Sequence, residues 1–483
     1  MILFLYFLLF PDKSSEDTSL IFEYEYLDAS QTFDRGIPLD PVVFDLPIEL
    51  FLGEPDDFID ANTHSFYLTF DHRFNKNIKL RSGFAASISN DDYAAFLPND
   101  FDLESGQVSR IFRETDFSRD NLAWQTDLIS EFKTGSVEHQ LVAGFELAHD
   151  SAVTDNAPEF EDPEADVSLP INLFNPQYGT PIPDSRNTFF NSEDTSNTLG
   201  FYLQDQVTLL SNLKLLVGGR YDFANSESKF FEDFQGEISE GSDEFDNEAF
   251  SPRVGIVYQP IEPVSLYTSF SRSFVPNNST TSEGELIEPE RGTQYEVGVK
   301  GEFSDFSTTL AAYEITKTNV PRTDPEDDNF SIPVGEVKSR GIEFDVAGEP
   351  VSGLNIIASL FFNDAFISVG DEFNPEDDTL INAPGSGASL WTSYEIQKGE
   401  YKGFGAGAGL FYVGDVEAEI PNDFVIPSYV RADASLFYNR DQWKLGLNFK
   451  NLFGKEYFES SQNDILIYPG APFTVLGSVS VKF

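Results

Sequence analysis

The stretch Gln442-Trp443-Lys444-Leu445-Gly446-Leu447-Asn448-Phe449-Lys450 decides the fold. Trp443, Leu445, Leu447 and Phe449 hold alternate positions, with Gln442, Lys444, Asn448 and Lys450 between them. A period of two sends successive side chains to opposite faces of a strand. Working outward, the same pattern recurs. Tyr295, Val297, Val299 and Phe303 interleave with Gln294, Glu296, Lys300 and Glu302. Ile342, Phe344 and Val346 interleave with Glu343 and Asp345, and Leu213, Leu215, Val217, Tyr221 and Phe223 with Lys214, Arg220 and Asp222. A closing strand over 473–483 carries Val475, Val479, Val481 and Phe483 on one face. Helical spacing is absent from these windows, so the chain reads as all-β.

A soluble sandwich alternates too, and the connections separate it from a membrane barrel. Tight links at Asn439-Arg440-Asp441, 350–353, 303–306, 260–263, 210–212, 133–136 and 75–77 alternate with long segments at 452–471, 414–427, 364–386, 317–338, 273–291, 224–249, 150–196 and 30–63. Short turns at one end and long loops at the other describe an antiparallel transmembrane β-barrel of the outer-membrane type. The same parity makes 106–132 one long strand, because a cut at Ser118-Arg119 would put the turn at 133–136 on the wrong side. The count is then 18 to 19 strands, with the apolar faces expected against lipid and the polar faces inside.

Charge fits this layout. The chain has 483 residues, Lys+Arg 30 against Asp+Glu 82, and a formal net charge of −52. Segment 150–196 holds ten acids (Asp150, Asp155, Glu159, Glu161, Asp162, Glu164, Asp166, Asp184, Glu193, Asp194) against Arg186 alone, and segment 224–249 holds nine against Lys229. So acidic a chain has no basic stripe for phosphates, which excludes a nucleic-acid partner. With 40% hydrophobic and 14% aromatic residues it is too apolar to be disordered. Zero Cys removes disulfides, thiol nucleophiles and Cys-based metal sites. Pro-Glu-Asp-Asp occurs at 325–328 and 375–378. It can be read as a calcium site or as a solvated acidic loop, and its spacing matches no EF-hand.

Residues 2–10, Ile-Leu-Phe-Leu-Tyr-Phe-Leu-Leu-Phe, form the longest apolar run. They fall well short of the roughly 20 residues that a spanning helix needs. No positive residue precedes the run, and Pro11-Asp12-Lys13 replaces a small-residue cleavage site. A degenerate signal and a strand both remain open, and residues 1–17 are set apart as an atypical N-terminus, read as a truncation or start artefact. His139 and His149 flank one strand, and His64 and His72 share another, without third ligands at metal spacing. No nucleophile elbow, phosphate loop or dinucleotide fingerprint is present, so no catalytic residue, resident metal or cofactor is assigned. The glycines of 403–409 read as a strand relaxed where something packs close inside. Tyr178, Phe189, Phe190, Phe230, Phe231 and Phe234 lie in the acidic segments, where exposed aromatics either line a ligand-capturing mouth or anchor the rim.

Several stretches resemble TonB-dependent siderophore receptors. They are Leu286-Ile287-Glu288-Pro289-Glu290-Arg291-Gly292-Thr293-Gln294-Tyr295-Glu296-Val297-Gly298-Val299-Lys300, 264–274, Ser339-Arg340-Gly341-Ile342-Glu343-Phe344, Phe201-Tyr202-Leu203-Gln204-Asp205-Gln206 and Gly219-Arg220-Tyr221-Asp222. The end, Asn451-Leu452-Phe453-Gly454-Lys455-Glu456-Tyr457 with a terminal Phe483, is similar to that family's closing strands. Within the family the likeness is greatest to ferrichrome-type ferric hydroxamate receptors. It covers 18–483 and implies a 22-stranded outer-membrane barrel, a ferric siderophore as ligand, and a plug domain and TonB box that engage TonB. Neither plug nor box has room in this sequence, so the resemblance reads it as a barrel portion, a fragment, with about three strands fewer. The leading function is ferric-siderophore uptake. The alternative is an autonomous 18-stranded diffusion porin or sugar channel. A surface hydrolase lacks the nucleophile–His pairing.

Overall fold

A computed structural model describes residues 2–12, 16–102, 104–157, 169–182, 188–234, 237–324, 327–371, 374–462 and 466–482. No helix among them is long and apolar enough to cross a membrane. The main sheet has 20 strands, one of which is the two-residue Ile171–Asn172 laid against Gln107 and Val108. The other nineteen pair antiparallel, each with its neighbour in the chain. They run from Ile2–Asp12, paired with Thr18–Gln31, to Thr474–Val481, paired with Trp443–Lys450. The apolar run near the N-terminus is thus a strand, registered Ile2↔Ser30 to Asp12↔Leu20. Phe483 lies outside the described residues.

The seven expected tight links lie at one end of this sheet, and an eighth, 396–403, lies with them. Left-handed backbone closes four of these turns, at Gly135 (φ 66), Gly353 (φ 87), Gly399 (φ 84) and Asp441 (φ 51). Gln107–Thr134 is a single strand of 28 residues, paired along its length with Ile78–Asp102.

Two expectations are corrected. The segments 224–249 and 317–338 are not loops. Leu213–Phe234 and Glu237–Ile261 pair residue by residue up to Phe234↔Glu237, and Phe306–Asp324 and Asp327–Val351 form a similar hairpin. Likewise, Val137–Ala157 and Thr188–Leu210 take up much of 150–196. A strand needs about 9–11 residues to cross lipid, and above that height neither face has to be apolar. The hydrophobic alternation therefore stops where the hydrogen-bond ladder continues.

Register identifies the faces. Phe22, Leu68, Phe84, Trp124, Leu147, Leu199 and Phe223 form one continuous cross-strand row on one face. The opposite face carries Arg220, whose guanidinium meets Glu146 (2.9 Å) and Asp222 (2.7 Å), and Tyr202, which donates to Asp127. Connecting segments fold over this polar face: Asn247 donates to the Asn277 carbonyl (3.2 Å), and Arg431 contacts Tyr457 (3.4 Å). The polar face is therefore the lumen, and the apolar row looks out. Trp443, Leu445 and Leu447 are exposed on that outer face.

The glycines of 403–409 also find their reason. A Cβ at Gly409 would lie 2.5 Å from the Trp391 ring, one at Gly407 2.8 Å from it, and one at Gly405 2.2 Å from the Phe437 ring. Bulky rings on neighbouring strands lie flat across these positions. Only glycine leaves room for them.

Candidate functional site

The buried apolar core sits at the long-connection end, between the segments that cap the wall. Ile37, Val43, Leu50 and Leu52 come from 32–57, Ile171 and Leu173 from 169–182, Val416, Phe424 and Ile426 from 414–428, and Phe458 and Ile467 from 451–473. Val108, near the start of the 28-residue strand, completes it. A three-stranded sheet ties the module together, with Ile467 opposite Ile37 and Phe458–Gln462 pairing Leu466–Pro469. A 3₁₀ turn, Pro41–Asp45, starts where Asp40 accepts from the Val42 amide at 2.8 Å.

Arg110 fastens this cap to the wall. Its guanidinium is fully buried and donates to the carbonyls of Leu169 (2.8 Å), Leu52 (3.0 Å) and Gly53 (3.1 Å). It also reaches Glu54 Oε1 (2.9 Å) and Thr180 Oγ1 (2.7 Å), and lies 5.0 Å over the Phe96 ring. Glu54 accepts from the Gly179 amide (2.7 Å) and the Thr180 amide (3.3 Å) as well. Burial alone would raise the Glu54 carboxyl, but the Gly179 and Arg110 hydrogen bonds outweigh it and hold the group below the usual carboxylate range. Beside it, Asp57 accepts from the Glu54 amide (2.8 Å) and the Phe96 amide (3.1 Å), yet burial pushes its carboxyl up to about 6.

An aromatic recess opens in the cap. Phe44 stacks on Phe424 (5.5 Å) and edges Phe458 (5.5 Å), but is still 44% exposed. Tyr429 and Tyr457 lie 4.1 Å apart. Phe44, Tyr429, Lys455, Glu456 and Tyr457 are among the residues around a cavity of about 240 Å³. Below it, Arg431 pairs with Asp433 (3.1 and 3.2 Å), and Asp433 accepts from the Asn451 amide (2.9 Å). Burial holds the Tyr457 phenol above its ordinary value, so at neutral pH it is a neutral ring with a hydroxyl. The recess presents aromatic faces, phenols and one ammonium to whatever enters the mouth.

The structure distributes the sequence-nominated aromatics over several places. Tyr178 lies in the cap and donates to the Phe51 carbonyl at 3.1 Å. The strand pairs Phe190↔Glu232 and Phe230↔Ser192 put Phe190 and Phe230 on the lumen-side face, whereas Phe231 is on the other. Phe189 and Phe234 are strand residues whose side chains lie outside the description. The recess residues Phe44, Tyr429 and Tyr457 were passed over because they sit outside the acid-rich segments. Each His has a partner on an adjacent strand: His72 with Thr18 (2.9 Å), His64 with Tyr24 (2.8 Å), His139 with Asp205 (2.7 Å) and His149 with Asn197 (2.8 Å).

Residues 6–452 match the family described as TonB dependent receptor-like, beta-barrel. The chain is 31% identical over 476 residues to a metal-pseudopaline receptor of Pseudomonas aeruginosa, covering 97% of this chain and 66% of that protein. It is 27% identical to the ferrichrome outer membrane transporter/phage receptor of Escherichia coli, covering 91% of this chain and 61% of that one. It thus spans under two thirds of the length of these curated relatives. The crystal structure of the siderophore receptor PiuA from Acinetobacter baumannii superposes with a TM-score of 0.83 at 22% identity, over 97% of this chain and 72% of that chain. Such a barrel implies the outer membrane, and these matches do not favour the diffusion porin. With nineteen sequential strands, a polar lumen and a capped mouth, the chain belongs to the TonB-dependent receptor β-barrel family.

Proposed function

We propose that this chain is the wall of an outer-membrane receptor that captures ferric siderophores, of the ferrichrome-like hydroxamate class, and passes them inward with energy from TonB. The observation that carries this reading is the aromatic recess of Phe44, Tyr429 and Tyr457 in the cap at the mouth. Relatives named as ferrichrome and ferrioxamine receptors support it. A second reading, a chelate of another metal, is favoured by the 31% identity to the metal-pseudopaline receptor.

Titrating the refolded chain with ferrichrome, followed by tryptophan fluorescence, tests the first reading. Phe44→Ala should weaken binding about 3- to 10-fold, the worth of one aromatic contact. Phe190→Ala and Phe230→Ala should weaken it if the mouth includes them, while Phe231→Ala, on the opposite face, should not. Absence of ferrichrome binding, with tight binding of a nickel or zinc chelate, would move the assignment to the second reading.

A further inference from the structure

The recess in the cap has two unlike walls. One comes from the 3₁₀ turn and the residues after it, where Val43, Leu46 and Ile48 present only carbon side chains. The other comes from Tyr429, at the top of the strand Tyr429–Arg440, and from Lys455 and Tyr457 in the connection that follows Asn451. The volume is about 240 Å³, below the roughly 300–1,000 Å³ of pockets that enclose a whole small molecule. The recess therefore seats one arm of a ligand and leaves the rest in the mouth.

The two tyrosines differ at their hydroxyls. Their rings pack 4.1 Å apart, yet only one of them has a proton to offer. Tyr457 donates its single O–H to Glu459 (3.1 Å) and accepts from Arg431 (3.4 Å). Arg431 is fixed in turn by Asp433 (3.1 and 3.2 Å) and lies 5.2 Å over the Phe411 ring. Tyr457 thus has its ring, and no proton, left for the recess. Among the described residues nothing bonds the Tyr429 hydroxyl, and it is open to solvent. Lys455 is placed by its backbone. Asn451 Oδ1 accepts from its amide (2.7 Å), and Asn451 Nδ2 donates to its carbonyl (2.8 Å). Its exposed ammonium pairs with no carboxylate among the described residues. Lys455 and Glu456 are the charged residues of the lining, so the recess is neutral overall.

We propose that the recess takes one hydroxamate-like arm of a metal chelate: an uncharged stem with oxygen acceptors on one side. The stem lies on Val43, Leu46 and Ile48. Its oxygens face the Tyr429 hydroxyl and the Lys455 ammonium, which are the ligand contacts, and Tyr457 supplies ring surface. An arm with its own negative charge would meet Glu456 as well as Lys455. An arm with no acceptor would cover the Tyr429 hydroxyl and leave it unpaired, which is costly. The inference rests on the receptor reading above and assigns the donors within it.

The test titrates ferrichrome into the refolded full chain and into variants that each lose one group, with tryptophan fluorescence as the readout. Tyr429→Phe should weaken binding about 3- to 10-fold, the range of one hydrogen bond. Tyr457→Phe should stay within about twofold, because that hydroxyl already serves Glu459 and Arg431. Both substitutions keep the ring and its packing, so the difference between them reports the hydroxyls. Lys455→Gln should weaken binding about 2- to 5-fold at low ionic strength. That loss should fade as salt is added, while the loss in Tyr429→Phe should not. Equal losses in the two Phe variants would overturn the assignment of donors, and so would a larger loss in Tyr457→Phe. An unchanged Tyr429→Phe that still binds ferrichrome would overturn it too, with the receptor reading left standing. No ferrichrome binding by the unsubstituted chain would instead sink the hydroxamate reading, and this inference with it.

Discussion

Replacing Arg110 by methionine removes a guanidinium that holds three backbone carbonyls, a carboxylate and a hydroxyl, and keeps most of the aliphatic stem beside Phe96. Glu54, itself 5% exposed, then loses its one cationic partner and keeps Gly179 and Thr180. Breaking a buried ion pair from one side costs about 3–5 kcal/mol. That cost falls on the cap, because the bonded atoms lie in 52–54 and 169–180. Hydrogen exchange with mass spectrometry is the assay. Leu173, whose amide donates to the Gly106 carbonyl at 2.7 Å, and Gly179 report the cap; Leu445, paired in the closing strands, reports the wall. A cost of about 3–5 kcal/mol corresponds to roughly 10²- to 5 × 10³-fold faster exchange at the cap amides, with the wall unchanged. Adding Glu54→Gln should restore part of the protection, since the uncompensated charge disappears. Unchanged Gly179 exchange in Arg110→Met would refute the fastening role. Equal acceleration of Leu445 would show that cap and wall unfold together.

Asp57 gives the cap a pH dependence. Its folded carboxyl, near 6, binds a proton more tightly than an unfolded aspartate, so its contribution is full at pH 4 and lost as pH rises through about 6. Exchange at Phe96 should therefore slow between pH 7 and 5, and Asp57→Asn should flatten that trend. Leu447→Arg places a charge on the outer face, where Leu447 is 46% exposed, and should cost about 2–4 kcal/mol if mid-membrane, read as a lower urea midpoint after refolding in lipid. Gly409→Ala pushes a Cβ to 2.5 Å from the Trp391 ring and should cost about 1–3 kcal/mol by the same assay, with Trp391→Leu restoring most of it.

The wall was legible because lipid imposes a strict two-residue code: 442–450 could be assigned its outward face from nine letters. The 28-residue strand was legible through parity alone, since a break at Ser118-Arg119 would have inverted every later connection. Where lipid stops, so does the code. The acidic upper part of the hairpin, 224–249, looked like a loop because Glu, Asp and Ser satisfy both faces of a ladder standing in water. The cap was illegible for a different reason. Its core joins Leu52, Val108, Ile171 and Ile467, residues from four separate segments, and nothing in any one of them marks the others. Arg110 reads as an unremarkable surface base until Glu54 and Thr180 are brought to it from opposite directions in sequence.

The hairpin Leu213–Phe234/Glu237–Ile261 also determines how solutes reach the mouth. From Asn225, two residues above Phe223 of the outward apolar row, to the tip at Phe234 the strand runs nine residues, about 30 Å at roughly 3.3 Å per residue. On the far arc the strands Ser386–Glu395 and Trp443–Lys450 have only 10 and 8 residues, so the rim is lopsided, a parapet on one side and a low sill on the other. The parapet raises its acids several Debye lengths above the membrane, since a Debye length is about 8 Å at physiological ionic strength. If the mouth takes up charged solutes, this acidic rim should favour the encounter of cationic or neutral ones and slow that of anionic ones. That sorting should fade as salt is added, because it acts on the rate of encounter and not on the grip that follows.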